Sequence, residues 1–209
     1  MKRFARWFSI VLAAGLFGPP LLWALGGRGV VMRWGTAADE ATRAMPGDEL
    51  IPSAQRSTTR ALTIDAPPEA VFPWLTQIGA GRAGFYSHVW IERAIGCEIT
   101  NGEAIEPAWQ LKAGDVVRLC PEGSGPPLVY VVKALSPPRV LVLAVEENGT
   151  AATTWAFELA PIEGRKTRLL VRNRTGTAQS WQELIEPGVF VMEHGMMRGL
   201  AVRATRPSG

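Results

Sequence analysis

The order of apolar and polar positions divides the chain into an uncharged run, a short connecting stretch, and a long region with both helical and strand-like periodicity. Trp7 to Leu25 carries no charged side chain. As a helix, that run would be about 28 Å long, close to the thickness of a hydrocarbon core. Lys2, Arg3 and Arg6 precede it, which favours a cytoplasmic N-terminus and places the rest of the chain on the outer side. Gly18-Pro19-Pro20 would kink such a helix, and membrane helices tolerate this. Ala24-Leu25-Gly26 has the small residues of a leader-peptide cleavage site, so a removed leader is the competing reading. The run exceeds a leader h-region of about 7–15 residues, and a retained anchor over residues 1–28 is the expectation.

Residues 29–57 read as a connecting segment. Thr36-Ala37-Ala38-Asp39 resembles a capping start and predicts a short helix ending before Pro46-Gly47. Asp48 to Pro52 reads as extended chain. A third region, 58–205, opens with Thr59 to Ile64, rich in strand formers. Asp65 or Ala66 can then cap a helix begun by Pro67-Pro68-Glu69, in which Ala70, Val71, Trp74, Leu75 and Ile78 recur at helical spacing before Gly79. The glycine-rich stretch Gly79–Gly84 leads into Phe85-Tyr86-Ser87. A second short helix is predicted from His88 to Ile95.

Strands are predicted at 116–119, 128–132, 140–145, 153–159 and 167–171, separated by turn signals such as Pro137-Pro138 and Asn148-Gly149. Several change face every second residue, as a sheet covered on one side requires. The C-terminal segment reads as a helix with a capping box at Ser180–Glu183 and a kink or restart at Pro187. Its apolar stripe is drawn through Val189, Met192, Met196 and Leu200. Arg198, Arg203 and Arg206 lie near its end, where positive charge suits the helix dipole.

Composition changes this picture little. The 209 residues suffice for one domain with appendages. The net charge of +3 is carried by Lys2, Arg3 and Arg6, and the remainder balances near zero. The globular part lacks the basic excess of a nucleic-acid binder, and no such partner is expected. Cys97 and Cys120 form no CxxC pair and have no histidine cluster, so no metal or cofactor is expected. They read as buried small residues, with a Cys97–Cys120 disulfide open to an exported domain.

The stretch Ala61-Leu62-Thr63-Ile64-Asp65-Ala66-Pro67-Pro68-Glu69-Ala70-Val71-Phe72-Pro73-Trp74-Leu75, followed by a second helix, a multi-strand sheet and a long helix, resembles the SRPBCC superfamily. That superfamily includes START-like and polyketide-cyclase proteins. Arg33-Trp34-Gly35, Pro46–Glu49, Gly81–Ser87 and Glu186–Glu193 are similar to bacterial SRPBCC proteins with an N-terminal membrane helix. The resemblance implies an α+β helix-grip fold: a curved antiparallel sheet wrapped around a long C-terminal helix, preceded by one transmembrane helix. It implies a cavity between helix and sheet and hydrophobic ligands as a class. His88–Arg93 departs from the pattern, so no role is carried over for His88 or Glu92.

Phe85, Tyr86, Trp109, Trp155, Met192 and Met196 are the candidate ligand-binding residues, because aromatics with polar tips and flexible thioethers suit such a cavity. Trp90 and Met197 are weaker candidates. Core packing accounts for each singly. No GxSxG or HExxH motif is present, and no catalytic residue is assigned. Glu92, Glu98, Glu103, Glu106 and Asp115 are scattered, and Glu193-His194 reads as an exposed helix face. The glycine-rich stretch lacks the Lys-Ser/Thr of a phosphate loop and reads as a tight turn, with Arg82 solvated or paired. The expectation is a membrane-tethered carrier for a lipid, isoprenoid or polyketide-like molecule, with the bilayer as its other partner. A cyclase- or dehydratase-type enzyme and a ligand-free interaction module are the alternatives.

Overall fold

A computed structural model describes residues 27–206. Six strands form one antiparallel sheet: β1 (Arg56–Ile64), β2 (Val116–Arg118), β3 (Val129–Ser136), β4 (Val140–Glu147), β5 (Thr150–Ile162) and β6 (Lys166–Thr175), in the spatial order β1-β6-β5-β4-β3-β2. Four helices accompany them: α1 (Arg28–Met32), α2 (Pro68–Leu75), α3 (Val89–Ala94) and α4 (Ser180–Ala204). Side chains alternate across a strand. One face therefore gathers Ile64, Leu169, Val171, Phe157, Leu159, Leu141, Leu143 and Val132, and α4 closes over it with Met196, Met197 and Leu200. Bulges near Val132/Ala134 and Val145/Glu146 bend the strands as a curved sheet requires. This is the helix-grip architecture.

Local chemistry sets the elements. Asn148 and Gly149, with φ of 51° and 79°, make the two-residue β4–β5 hairpin turn that positive φ at both positions demands. Pro67, extended, is the N-cap of α2 in place of Asp65 or Ala66, and Pro68 fills the first turn, where a missing N–H costs nothing. Gln179, not Ser180, caps α4: its side chain and that of Gln182 form a reciprocal capping box. α4 does not restart at Pro187; it is one continuous 25-residue helix. Proline removes one backbone hydrogen bond there. Glu186 and Glu193, on either side of it, are both held by the guanidinium of Arg60, so one side chain ties both parts to β1.

Gly195 and Gly199 let the segment after the glycine-rich loop cross α4 closely. A Cβ on Gly199 would stand 2.6 Å from Tyr86 Cβ, and one on Gly195 would stand 2.9 Å from the His88 ring. Ser87 Oγ fixes the crossing by donating to the Met192 carbonyl at 2.9 Å.

The stretch before β1 lies on the outer face of the sheet, held by arginines of β6. Arg168 pairs with Glu40, Arg172 reaches Asp48 and the carbonyls of Glu40, Ala41 and Arg43, and Arg174 reaches the Ile51 carbonyl. The helix predicted after Thr36 is a series of turns, because Arg172 takes the carbonyls a helix would use. Asp48–Leu50 forms a 3-10 turn where extended chain was expected. Among the described residues no helix is long and apolar enough to cross a membrane. The predicted anchor, Trp7–Leu25, lies outside the described residues.

Candidate functional site

The inner face of the sheet carries an aromatic wall. Trp155 of β5 lies 4.9 Å from Phe157, 5.7 Å from Tyr130 of β3 and 6.1 Å from Phe85, between ring centroids. Phe85 arrives from the loop that crosses α4, so the wall joins sheet to loop.

The wall ends on a polar cluster. Glu193 of α4 accepts from Trp155 Nε1 at 2.9 Å, from Asn173 Nδ2 at 2.8 Å and from Arg60 Nη1 at 2.5 Å. Arg60, in the middle of β1, is fully buried and also donates to Glu186 and to the Val31 carbonyl. Arg56 completes the group with a second bond to Glu186. Two cations and two anions thus share one buried network between α4 and β1. Desolvation of such a group offsets much of its Coulomb gain, but removing one member leaves a charge stranded. Burial, with the Glu193 carboxylate nearby, holds the Tyr130 phenol well above its ordinary value.

A second buried carboxylate has no such support. Glu92 is 2 % exposed, and neither of its oxygens has a hydrogen-bond partner among the described residues. It is the one buried side chain of α3, whose neighbours Trp90 and Ile95 face solvent. α3 starts where His88 meets Gly195 of α4 and leads to Cys97, which is disulfide-bonded to Cys120 beyond β2. The helix therefore bridges from α4 to the far edge of the sheet, with Glu92 as its buried side chain. Burial raises the pKa of its carboxyl, so the protonated form is favoured more than in a solvated glutamate.

The predicted site residues are distributed as follows. Phe85 and Trp155 meet in the wall, and Met196 is buried in the same core cluster under α4. Met192 is half-buried beside Ser87, its sulfur 3.6 Å from the hydroxyl. Tyr86 packs edge-on against Trp74 and spends its hydroxyl on Gln77 and the Trp74 carbonyl; burial pushes its phenol up to about 12. Trp109 is half-buried on a 3-10 turn at Pro107–Trp109, beside Gly102. Trp90 is exposed. Glu193 is a correction to the sequence reading, since it is buried at the centre of the network and not on an exposed face. The sequence reading also passed over Arg60, Tyr130, Asn173 and Glu186. A charged residue inside a strand-forming run was the available signal for Arg60. Cys97 and Cys120, whose pairing the sequence leaves open, are bonded.

The glycine-rich stretch is a closed turn in which Gly79 and Gly84 exchange both backbone hydrogen bonds. Arg82 lies 3.7 Å from Asp115. A cavity of about 440 Å³ opens beside this turn, lined by residues that include Arg82, Glu98, Arg118 and Glu122. None of the six predicted ligand residues lines it.

No family model matches the chain, and no curated protein matches it in sequence. Solved structures resemble it. A protein from Mesorhizobium loti is 17% identical with a TM-score of 0.47, over 74% of this chain and 100% of its own. CalU16 from Micromonospora echinospora is 20% identical with a TM-score of 0.35, over 71% and 83%. The Aha1 protein of Colwellia psychrerythraea, determined as a dimer, is 17% identical with a TM-score of 0.43, over 71% and 98%. The helix-grip assignment rests on the strand order and the placement of α4 described above.

Proposed function

We propose that this chain binds an apolar small molecule with a polar end between α4 and the sheet, and that it does so tethered to a membrane by its N-terminal segment. The observation that carries the reading is Glu92. A carboxylate buried without a partner is costly, and such groups cluster at functional sites. A guest that donates a hydrogen bond to Glu92, or accepts its proton, removes that cost. The aromatic wall of Phe85, Tyr130, Trp155 and Phe157 supplies the apolar surface that such a guest needs.

The uncharged run Trp7–Leu25 supports the tether, and the Cys97–Cys120 bond supports a domain on the outer, oxidising side. A tethered domain meets lipid-borne guests at high local concentration. Native mass spectrometry of the full chain, gently extracted from membranes, tests the reading. A hydrophobic species released only on unfolding is the expected result. Apoprotein alone, in repeated preparations, contradicts it.

The raised pKa of Glu92 favours one second reading, acid–base turnover of the guest, as in a cyclase or dehydratase. Under that reading Glu92→Gln keeps the co-purifying molecule and changes its chemical form. Under the carrier reading the form stays the same.

A further inference from the structure

The first half of α4 has its polarity reversed. Its one buried side chain among the described residues from 181 to 189 is the charged Glu186. Its outer face instead presents Trp181, Leu184 and Ile185, with Leu184 82% exposed. Leu184 and Ile185 follow Trp181 by three and four residues, and Val191 follows Leu184 by seven, so the four form one stripe. Farther along the helix the same side is covered, because Tyr86, Ser87 and His88 lie against Gly195 and Gly199. Nothing among the described residues covers the stripe.

The place where the chain enters the domain says what does. Arg28 pairs with Glu183 at 2.8 Å, in the first turn of α4. Leu25, the last residue of the uncharged run, precedes Arg28 by three residues, a span of at most about 10 Å. Val30, on α1, is also exposed. The uncharged run Trp7–Leu25 is therefore joined to the domain close to the exposed stripe.

We propose that the Trp181–Leu184–Ile185 stripe is a bilayer-contacting face that lays α4 against the lipid surface. This rests on the tethered reading and adds an orientation to it. The Glu186–Glu193 network, on the opposite, buried side of the same helix, then lies one helix thickness from the lipid surface. Interfacial helices bury an apolar stripe in this way.

The test places a nitroxide on Leu184→Cys in the full chain, reconstituted in mixed phosphatidylcholine–phosphatidylglycerol vesicles. A matched label on Glu163→Cys marks the β5–β6 turn at the opposite end of the sheet. Co-flotation with vesicles is scored first. The expected result is that the Leu184→Cys label relaxes faster with oxygen than with a water-soluble nickel chelate, and that the Glu163→Cys label does the reverse. If the protein floats but both labels favour nickel, the docking face is wrong and the tether stands. If the Leu184→Cys label is closed to both reagents, protein covers the stripe, from this chain or a second copy, and the bilayer assignment is overturned. Failure to float removes the tether and the docking face together.

Discussion

Replacing Glu92 with methionine should stabilise the protein, and the gain should depend on pH. Methionine has nearly the length of glutamate, suits a helix, and fills the same buried space with no polar atom to satisfy. Both Glu92 oxygens lack partners among the described residues, and a buried polar group left unsatisfied costs about 1–3 kcal/mol, more when charged. Glu92→Met should therefore add roughly that much at neutral pH.

The sign of the pH dependence follows from the raised pKa of the folded form. The folded state holds its proton to higher pH than the unfolded chain, so wild-type stability from this group is fully present below the ordinary glutamate value of 4.5. It is lost as pH rises through the folded value. The advantage of Glu92→Met over wild type should therefore grow from acid to neutral pH. Glu92→Gln, which keeps a polar group but cannot ionise, should show the same pH trend relative to wild type. Urea unfolding of the delipidated, guest-free full chain in mild detergent, followed by tryptophan fluorescence at several pH values, measures all three. In the guest-free protein, a Glu92→Met variant that is neutral or less stable, with a flat pH difference, would show that Glu92 is solvated or paired within the chain, against its burial without a partner.

Arg60→Met should cost about 3–5 kcal/mol in the same assay, because it leaves the buried Glu193 carboxylate without a cation, while Glu186 keeps Arg56; a loss within the error of the method would mean that water reaches the network. Gly199→Ala should lower the thermal midpoint, with about 1–3 kcal/mol lost where its Cβ meets Tyr86; an unchanged midpoint would mean the crossing loop moves away freely. Reducing the Cys97–Cys120 bond, which spans 23 residues, should cost about 3 kcal/mol by chain entropy, read as a lower urea midpoint with dithiothreitol.

The sheet was legible in sequence because its strands obey simple alternation. Leu141 and Leu143, or Phe157 and Leu159, face inward together, with hairpin signals such as Asn148-Gly149 between the strands. α4 was legible as a helix but not in its orientation. A stripe through Val189 and Met192 points the helix about one residue away from its real inward line, which runs through Glu186, Glu193, Met197, Leu200 and Ala204. The charges on that line are buried because Arg60 waits 126 and 133 residues earlier in the chain, a pairing no local pattern reveals. For the same reason the turns after Thr36 read as a helix: the arginine that takes their carbonyls is Arg172, far along the chain. Half of the wall was readable, since Phe85 and Trp155 stand out as aromatics. Glu92 was visible only as one carboxylate among several, because its burial comes from where α3 is laid across the fold.

A crystal structure of the full chain, purified without delipidation, measures the central claim most directly. The expected result is continuous elongated density between α4 and the Phe85–Trp155–Phe157 wall, with one end within hydrogen-bonding distance of Glu92. Side chains packed wall to helix with no guest density, and Glu92 turned out to solvent, would contradict it.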